Sequence, residues 1–440
     1  MAITVREYLE QGPATSREIQ AATGLGQTAV SRQIRGMGKA IIRFRRGVAF
    51  RYAMTRNAFG GADRLPLATV DAHGNTVLVA HIRPLAHSGF YIEPEPGMPS
   101  LLLGENGDGM YDDLPYFLSD LRPQGFIGRQ IASDLSSQGG AFPPDPRRWN
   151  SEHIGRYLIS NGEDLSGNFK FGHQALSRVR RQPTTTTADD YPELADNAMS
   201  GNNPGSSTGG EQPKFATFCK DHASHVIVKF SPRGNSDIAL RWRDILITEF
   251  HATEALHAME FPAAETRLIE LDDRIFLESQ RFDRSSEYGR LSMVSLQAID
   301  AEFVGDGGNW LPVMSQLHFE KKVSWQHVYD AEYLYGFGKF INNTDMHLGN
   351  LSFGIAGDIF TLLPVYDMCS MGFAPKSGGE ISPYDFVPPK YEGLQLEGRD
   401  IERMKKMAHD FWERVTADER ISDDFRNFLS QGNPVDRMKA

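Results

Sequence analysis

KFINNTDMHLGNLSF (residues 339–353) sets apolar ends around Asp345, His347 and Asn350. A packed core has no use for three such side chains unless each has a partner, because an unpaired buried carboxylate costs far more than apolar burial returns. The stretch is therefore read as a solvated turn or as a site. Asp345 and Asn350 stand in a D-x-x-x-x-N spacing, which leaves a carboxylate and an amide a few residues apart on one loop.

Working outward, two upstream elements and one downstream bear on that loop. HVIVKF (225–230) reads as a β-branched strand carrying Lys229 among apolar neighbours. A lysine in such a run usually snorkels at a strand edge. RDILITEFHATEALHAM (243–259) has helical apolar spacing and places Glu249 twenty residues after Lys229. IFLESQRFDR (275–284) reads as a further strand, and IFTLLPVYDMCSMGF (359–373) puts Asp367 just after another apolar strand. Any one of these residues is compatible with an ordinary salt bridge or cap. The order Lys, Glu, Asp, Asn, Asp, each on a suitable element, is that of protein kinases. There a strand lysine paired with a helix glutamate orients phosphates, an aspartate accepts the substrate proton, and an asparagine and a second aspartate hold magnesium. Neither HRD nor DFG is present, so an ordinary eukaryotic-type kinase is excluded.

Upstream of the strand lysine, SSTGGEQPKFATF (206–218) sets Gly209 and Gly210 between Ser207 and Lys214, where backbone amides could cradle an anion. It is neither a Walker A loop nor G-x-G-x-x-G. The longer stretch 181–214, rich in Pro, Gly, Ser and Thr, is expected to form no core and to serve as a linker or functional loop.

The N-terminal sixty residues differ in charge from the rest. They carry ten Lys/Arg against three acids, a net of +7, which leaves −18 of the total −11 for the remainder. A basic head on an acidic body suits a DNA-binding module fused to something else. Val5 and Leu9 mark a first helix ending at Gly12-Pro13; Thr15 and Glu18 form a capping box for a second; Gly24-Leu25-Gly26 is a tight turn. A third helix turns Val30 and Ile34 inward and Gln27, Thr28, Ser31, Arg32 and Arg35 outward. Residues 40–54 alternate apolar and basic around Gly47, like a hairpin wing. The whole resembles a winged helix-turn-helix (1–60), with Thr28, Ser31, Arg32 and Arg35 toward the major groove and Arg43, Arg45, Arg46 and Arg51 on phosphates or in the minor groove. A helical docking domain with a solvated basic face is the bland alternative. From 61 to about 180, LATVDAHGNTVLVAHIRPLAHSGFYIE reads as strands around a DAHGNT turn, followed by an amphipathic stretch broken at Pro123 to Gly125. LLLGENGDGMYDD lacks EF-hand ligand spacing and is taken as a solvated loop.

Two cysteines, Cys219 and Cys369, exclude a disulfide framework and are expected to form no zinc cluster with nearby histidines. No apolar run approaches the roughly 18 residues of a membrane span, and the N-terminus has no signal core. A cytoplasmic protein, nucleoid-associated if the head binds DNA, is expected.

The motifs SSTGGEQPK, HVIVKF, SQRFDR, INNTDMHLGN and LLPVYDM together resemble the HipA-type serine/threonine kinases, toxin components of bacterial persistence modules, over about residues 100–430. With the helix-turn-helix in front, the chain resembles the stand-alone YjjJ-like (HipH-like) branch. The resemblance implies an α+β, bilobal protein-kinase-like HipA fold. In it, an extra N-terminal subdomain (61–180) and a Gly-rich loop (181–213) precede the N-lobe (214–285) and the helical C-lobe (286–440). It implies ATP and Mg as cofactors and autophosphorylation of Ser207. The ATP seat then takes Lys229, Gln280, Phe282, Gly209 and Gly210. Asp345 becomes the catalytic base, Glu249 the partner of Lys229, and Asn350 and Asp367 the metal ligands, while His347 shapes the catalytic loop. Three positions depart from the family. Gln280 replaces an interlobe glutamate, Gly349 a lysine and Pro213 an acidic loop residue, which predicts weaker activity or other substrates. In two-component modules a separate helix-turn-helix antitoxin brings the kinase to DNA; a head in cis replaces it, and a palindromic operator would go with a homodimer. The expected partners are DNA and a protein substrate. Two other readings stay open: a DNA-binding regulator with a degenerate kinase body, and a metal-dependent nuclease using Asp345, Asp367 and His347.

Overall fold

The computed structural model describes residues 3–139, 141–200, 212–376, 378–389 and 398–438; Ser207, Gly209 and Gly210 lie outside them. Two compact units are formed, one from residues 1–122 with 147–181 and the other from 123–146 with 182–440.

In the first unit, α1 (Val5–Glu10) is opened by a Thr4/Glu7 capping box. After β1 (Ala14–Thr15), the expected Thr15/Glu18 box opens α2 (Ser16–Thr23), which stops at Gly24 with φ +71°, a left-handed turn that glycine adopts without a Cβ clash. α3 (Gln27–Gly36) follows, and then the hairpin β2 (Ile41–Arg46) and β3 (Ala49–Met54). Val5, Leu9, Ile19 and Val30 are buried together, while Thr28, Ser31, Arg32 and Arg35 are exposed. The inner face of the hairpin continues into the next layer, where Ile42 and Phe44 pack with Leu85 and Tyr91.

That layer is the sheet of β4 (Leu65–Val70), β5 (Thr76–Pro84), β6 (Phe90–Pro94), β7 (Met110–Tyr111) and, later in the chain, β8 (Phe169–Phe171), in the order β7-β6-β5-β4-β8. The DAHGNT turn closes as an Asx-turn: Asp71 Oδ1 accepts from the amides of His73 and Asn75, each at 2.8 Å. The short helix α4 (Tyr116–Ser119) precedes α5 (Gly125–Ser137), which belongs to the second unit, and the chain returns for α6 (Ser151–Asn161) and α7 (His173–Ser177).

The second unit is built on a five-stranded sheet, β12-β13-β11-β10-β9. Its strands are β9 (Thr185–Thr186), β10 (Lys214–Cys219), β11 (Ser224–Phe230), β12 (Thr266–Leu271) and β13 (Arg274–Gln280). Alternation along the strands sorts their side chains onto two faces. Val226, Val228, Phe230 and Phe276 bury against α8 (Tyr191–Ser200), whose Tyr191 is 0% exposed. Ile275 and Leu277 pack with Leu246 of the long helix α9 (Asp237–Ala258).

The expectation that residues 181–214 form no core is thus corrected for 185–200. Tyr191 and Ala195, one helical turn apart, are the buried anchors, and a Thr187/Asp190 capping box starts the segment. Ala188, Leu194 and Ala198 pack around these two anchors, which docks a short helix in an otherwise polar composition.

Below the sheet, small strand pairs β14 (Arg284–Ser285) with β15 (Gly289–Arg290), and β16 (Val294–Ser295) with β17 (Ser352–Ala356) and β18 (Ile359–Leu362), accompany the helices. These are α10 (Leu296–Phe303), α11 (Trp310–Phe319), α12 (Trp325–Phe340), α13 (Gly398–Ala417) and α14 (Asp423–Leu429). Trp310, Tyr333, Phe337, Phe340 and Trp412 are fully buried there. Sheet-rich upper lobe and helical lower lobe make the α+β, protein-kinase-like arrangement. Among the described residues no helix is long and apolar enough to cross a membrane.

Candidate active site

Lys229 lies between Val228 and Phe230 on β11, so alternation turns it to the face that α9 covers. There it is 7% exposed and does not snorkel to an edge. Its Nζ donates to Glu249 Oε1 and Oε2 at 2.5 and 2.7 Å, and also contacts Asp367 Oδ1. Burial works against the charge on Lys229, but the carboxylates of Asp367 and Glu249 outweigh it and hold the ammonium well above its ordinary range. Burial likewise opposes ionisation of Asp367, yet Lys229 and Lys214 bring its pKa down to about 2.

Asp367 has φ +54°, rare for a residue with a side chain and costing about 1 kcal/mol. Its side chain is 33% exposed, and the contact with Lys229 uses Oδ1, which leaves Oδ2 as a second acceptor. Lys214, directly across the β10–β11 ladder from Lys229, is a second cation at the site that sequence reading passed over. Its pairing with Lys229 depends on strand register, which the spacing alone does not give.

The opening stretch forms a capped turn with polar side chains exposed. α12 ends at Phe340; Ile341 and Asn343 are buried while Asp345 and His347 stand exposed. Asn343 Oδ1 accepts from the Asp345 amide at 3.1 Å, and Asn350 Nδ2 donates to the Asp345 carbonyl at 2.5 Å. That bond consumes the amide nitrogen of Asn350 and leaves its side-chain oxygen as a donor to a cation. His347 Nδ1 accepts from the Gly349 amide at 3.0 Å, its carbonyl receives Trp310 Nε1 at 2.9 Å, and its Nε2 lies 3.9 Å from Asp345 Oδ1. The imidazole is thus a cap on the loop. A Cβ on Gly349 would approach the His347 ring to 2.9 Å, so the glycine leaves room for that cap.

Tyr366 was not singled out by sequence and binds the loop to the strand end. Its hydroxyl donates to the Gly349 carbonyl at 2.9 Å and pairs with Ser352 Oγ at 2.7 Å. Its ring centroid lies 5.7 Å from that of Phe282. Through this side chain the residue before Asp367 touches the residue before Asn350 and the aromatic that follows β13. Gln280 is exposed at the end of β13, its amide bonded to the Glu265 carbonyl at 2.8 Å.

In the first unit the basic residues have unequal partners. Arg51 Nη1 donates to the Pro13 carbonyl at 3.1 Å and lies 3.6 Å from Glu18, so it braces the head from within. Arg43 stacks on Phe50 at 3.7 Å, Arg45 bonds the Gly47 carbonyl at 3.1 Å, and Arg46 lies 3.4 Å from Asp108.

A buried lysine bridging a helix glutamate and a strand-end aspartate, above a capped D-x-x-x-x-N loop, defines the HipA-like kinase fold. Residues 61–180 match the model of the YjjJ-like toxin middle domain, and residues 206–428 that of the HipA-like C-terminal domain. Toxin YjjJ of Escherichia coli (strain K12) is 34% identical over 436 residues, covering 97% of this chain and 95% of that protein. The HipA of Shewanella oneidensis MR-1, solved as a toxin–antitoxin complex with HipB and operator DNA, superposes with a TM-score of 0.56 at 16% identity. That match covers 83% of this chain and 94% of the other. The chain belongs to the YjjJ family of HipA-like toxins.

Proposed function

We propose that this protein is an ATP- and magnesium-dependent serine/threonine protein kinase that restrains growth, with a head that binds DNA. The observation that carries this reading is the contact of one buried ammonium with both Glu249 and Asp367. A lysine fixed by a helix glutamate is oriented to hold phosphate oxygens. Asp345, half-exposed on the loop, accepts the proton of a substrate hydroxyl. The side-chain oxygens of Asn350 and Asp367 form the hard-oxygen donor set that suits magnesium, and His347 holds the loop's shape. When bound, magnesium neutralises charge on the triphosphate. The ammonium among the carboxylates speaks against the nuclease reading, which calls for adjacent carboxylates sharing metals.

The exposed row Thr28, Ser31, Arg32 and Arg35 on α3 supports groove binding. Arg43, Arg45 and Arg46 are exposed on the hairpin and suit phosphates, whereas Arg51 is committed to Pro13 and Glu18. The solved HipA relative sits on operator DNA together with HipB; here the head would make the DNA contact within one chain.

Purified protein is incubated with labelled ATP and magnesium, with and without DNA. Label on Ser207 that disappears in Asp345→Ala supports the kinase. DNA cleavage without ATP supports a nuclease, and specific DNA binding without transfer supports a regulator. DNA affinity that does not fall with salt would exclude phosphate contacts by the head.

A further inference from the structure

On the face of the upper sheet away from Lys229, a second cluster of chemistry-bearing side chains lies beneath α8. Cys219, the last residue of β10, is fully buried. His222 stands in the turn to β11, and Glu278 comes from β13, on the far side of β11. Their ligating atoms all lie within 4.8 Å of one another. The cysteines were expected to form no zinc cluster with nearby histidines; Cys219 nevertheless stands beside His222, and the third donor arrives by strand pairing rather than by local spacing.

We propose that Cys219, His222 and Glu278 form a binding site for a divalent cation of the zinc type, with a solvent molecule beside the exposed His222 closing the fourth position. The donors are a thiol, an imidazole and a carboxylate, the mixture that selects zinc-like ions over magnesium or calcium. The spacing suits it. Nitrogen and oxygen ligands about 2.0–2.1 Å from a tetrahedral zinc stand roughly 3.3 Å apart, and His222 Nε2 lies 3.2 Å from Glu278 Oε1. Asp221 Oδ2, 3.8 Å from Cys219 Sγ, accepts from the thiol in the metal-free protein.

Charge also balances. Arg267 holds Glu278 through bonds of 2.9 and 3.1 Å, and the Tyr191 hydroxyl donates to the same carboxylate. The Cys219 thiolate and the Glu278 carboxylate together cancel the dication, while Arg267 keeps that carboxylate in place. Binding replaces the His222–Glu278 contact with two metal bonds and releases the Cys219 proton to solvent. The bound ion would tie the β10–β11 turn to β13 under α8, independently of the kinase reading.

The test uses full-length protein stripped with a chelator and titrated with cobalt(II) in excess magnesium. One equivalent should develop a thiolate-to-cobalt charge-transfer band that zinc displaces. Zinc should also raise the melting midpoint by roughly 2 °C or more. Cys219→Ser should lose both signals and Cys369→Ser keep both. Exposed His222→Gln, which leaves the core intact, should weaken binding at least about 10-fold. A wild-type protein without the band, a band that survives Cys219→Ser, or one lost in Cys369→Ser overturns the proposal.

Discussion

Lys229 Nζ touches Asp367 Oδ1 across 138 residues of sequence while both oxygens of Glu249 hold it from the helix side. Removing the ammonium leaves the buried Glu249 carboxylate facing the partly exposed one of Asp367 with no cation between them. Lys229→Met should therefore destabilise the protein by about 3 kcal/mol in chemical denaturation and cut phosphoryl transfer at least ~100-fold. Unchanged stability would mean that the three groups are not in contact.

The depressed pKa of Asp367, about 2 in the folded protein, fixes a pH dependence. Its carboxylate favours folding fully above the ordinary carboxylate pKa near 4, and that contribution is lost as pH falls from there toward 2. The stability difference between wild type and Asp367→Asn should shrink over that interval and stay level from pH 5 to 7. Urea midpoints measured at pH 3 and pH 6 check this.

The resemblance to HipA-type kinases implies a lysine in place of Gly349, and putting one there would add a positive charge to the loop. The geometry predicts a loss. A Cβ there meets the His347 ring at 2.9 Å, so Gly349→Lys should displace the cap on the 345–350 loop and, on the proposed function, lower the rate of transfer about tenfold. Steady-state kinetics with ATP decide it; a rise in kcat would show that the cap is dispensable.

Tyr191 sits wholly buried on α8 with its hydroxyl on Glu278. Tyr191→Phe should cost about 1–2 kcal/mol for the lost bond, and Tyr191→Ala about 3–5 kcal/mol as a cavity opens under the helix. If both variants unfold at the wild-type denaturant midpoint, the 185–200 segment is not part of the core.

Lys229, Glu249, Asp345, Asn350 and Asp367 were visible in the sequence because unusual side chains interrupt apolar runs at recognisable separations. The helical head was visible for a related reason: caps, turns and charge are local signals. Lys214, Tyr366 and the Cys219–His222–Glu278 group were not. Each depends on strand register or on a loop closing over a strand end, and neither is encoded in nearby spacing. The polar stretch 181–200 misled because its composition dilutes two anchor residues among threonines and acids.

Arg83 bonds the Lys39 carbonyl at 2.8 Å, and Arg56 bonds that of Leu85 at 3.1 Å, while Phe44 packs on Tyr91. The hairpin is thereby riveted to the neighbouring sheet, with no swivel at residue 60. Whatever takes hold of α3 therefore also sets the bearing of β4–β8, and a force on the small helical layer steers a whole slab like a rudder fixed to its keel.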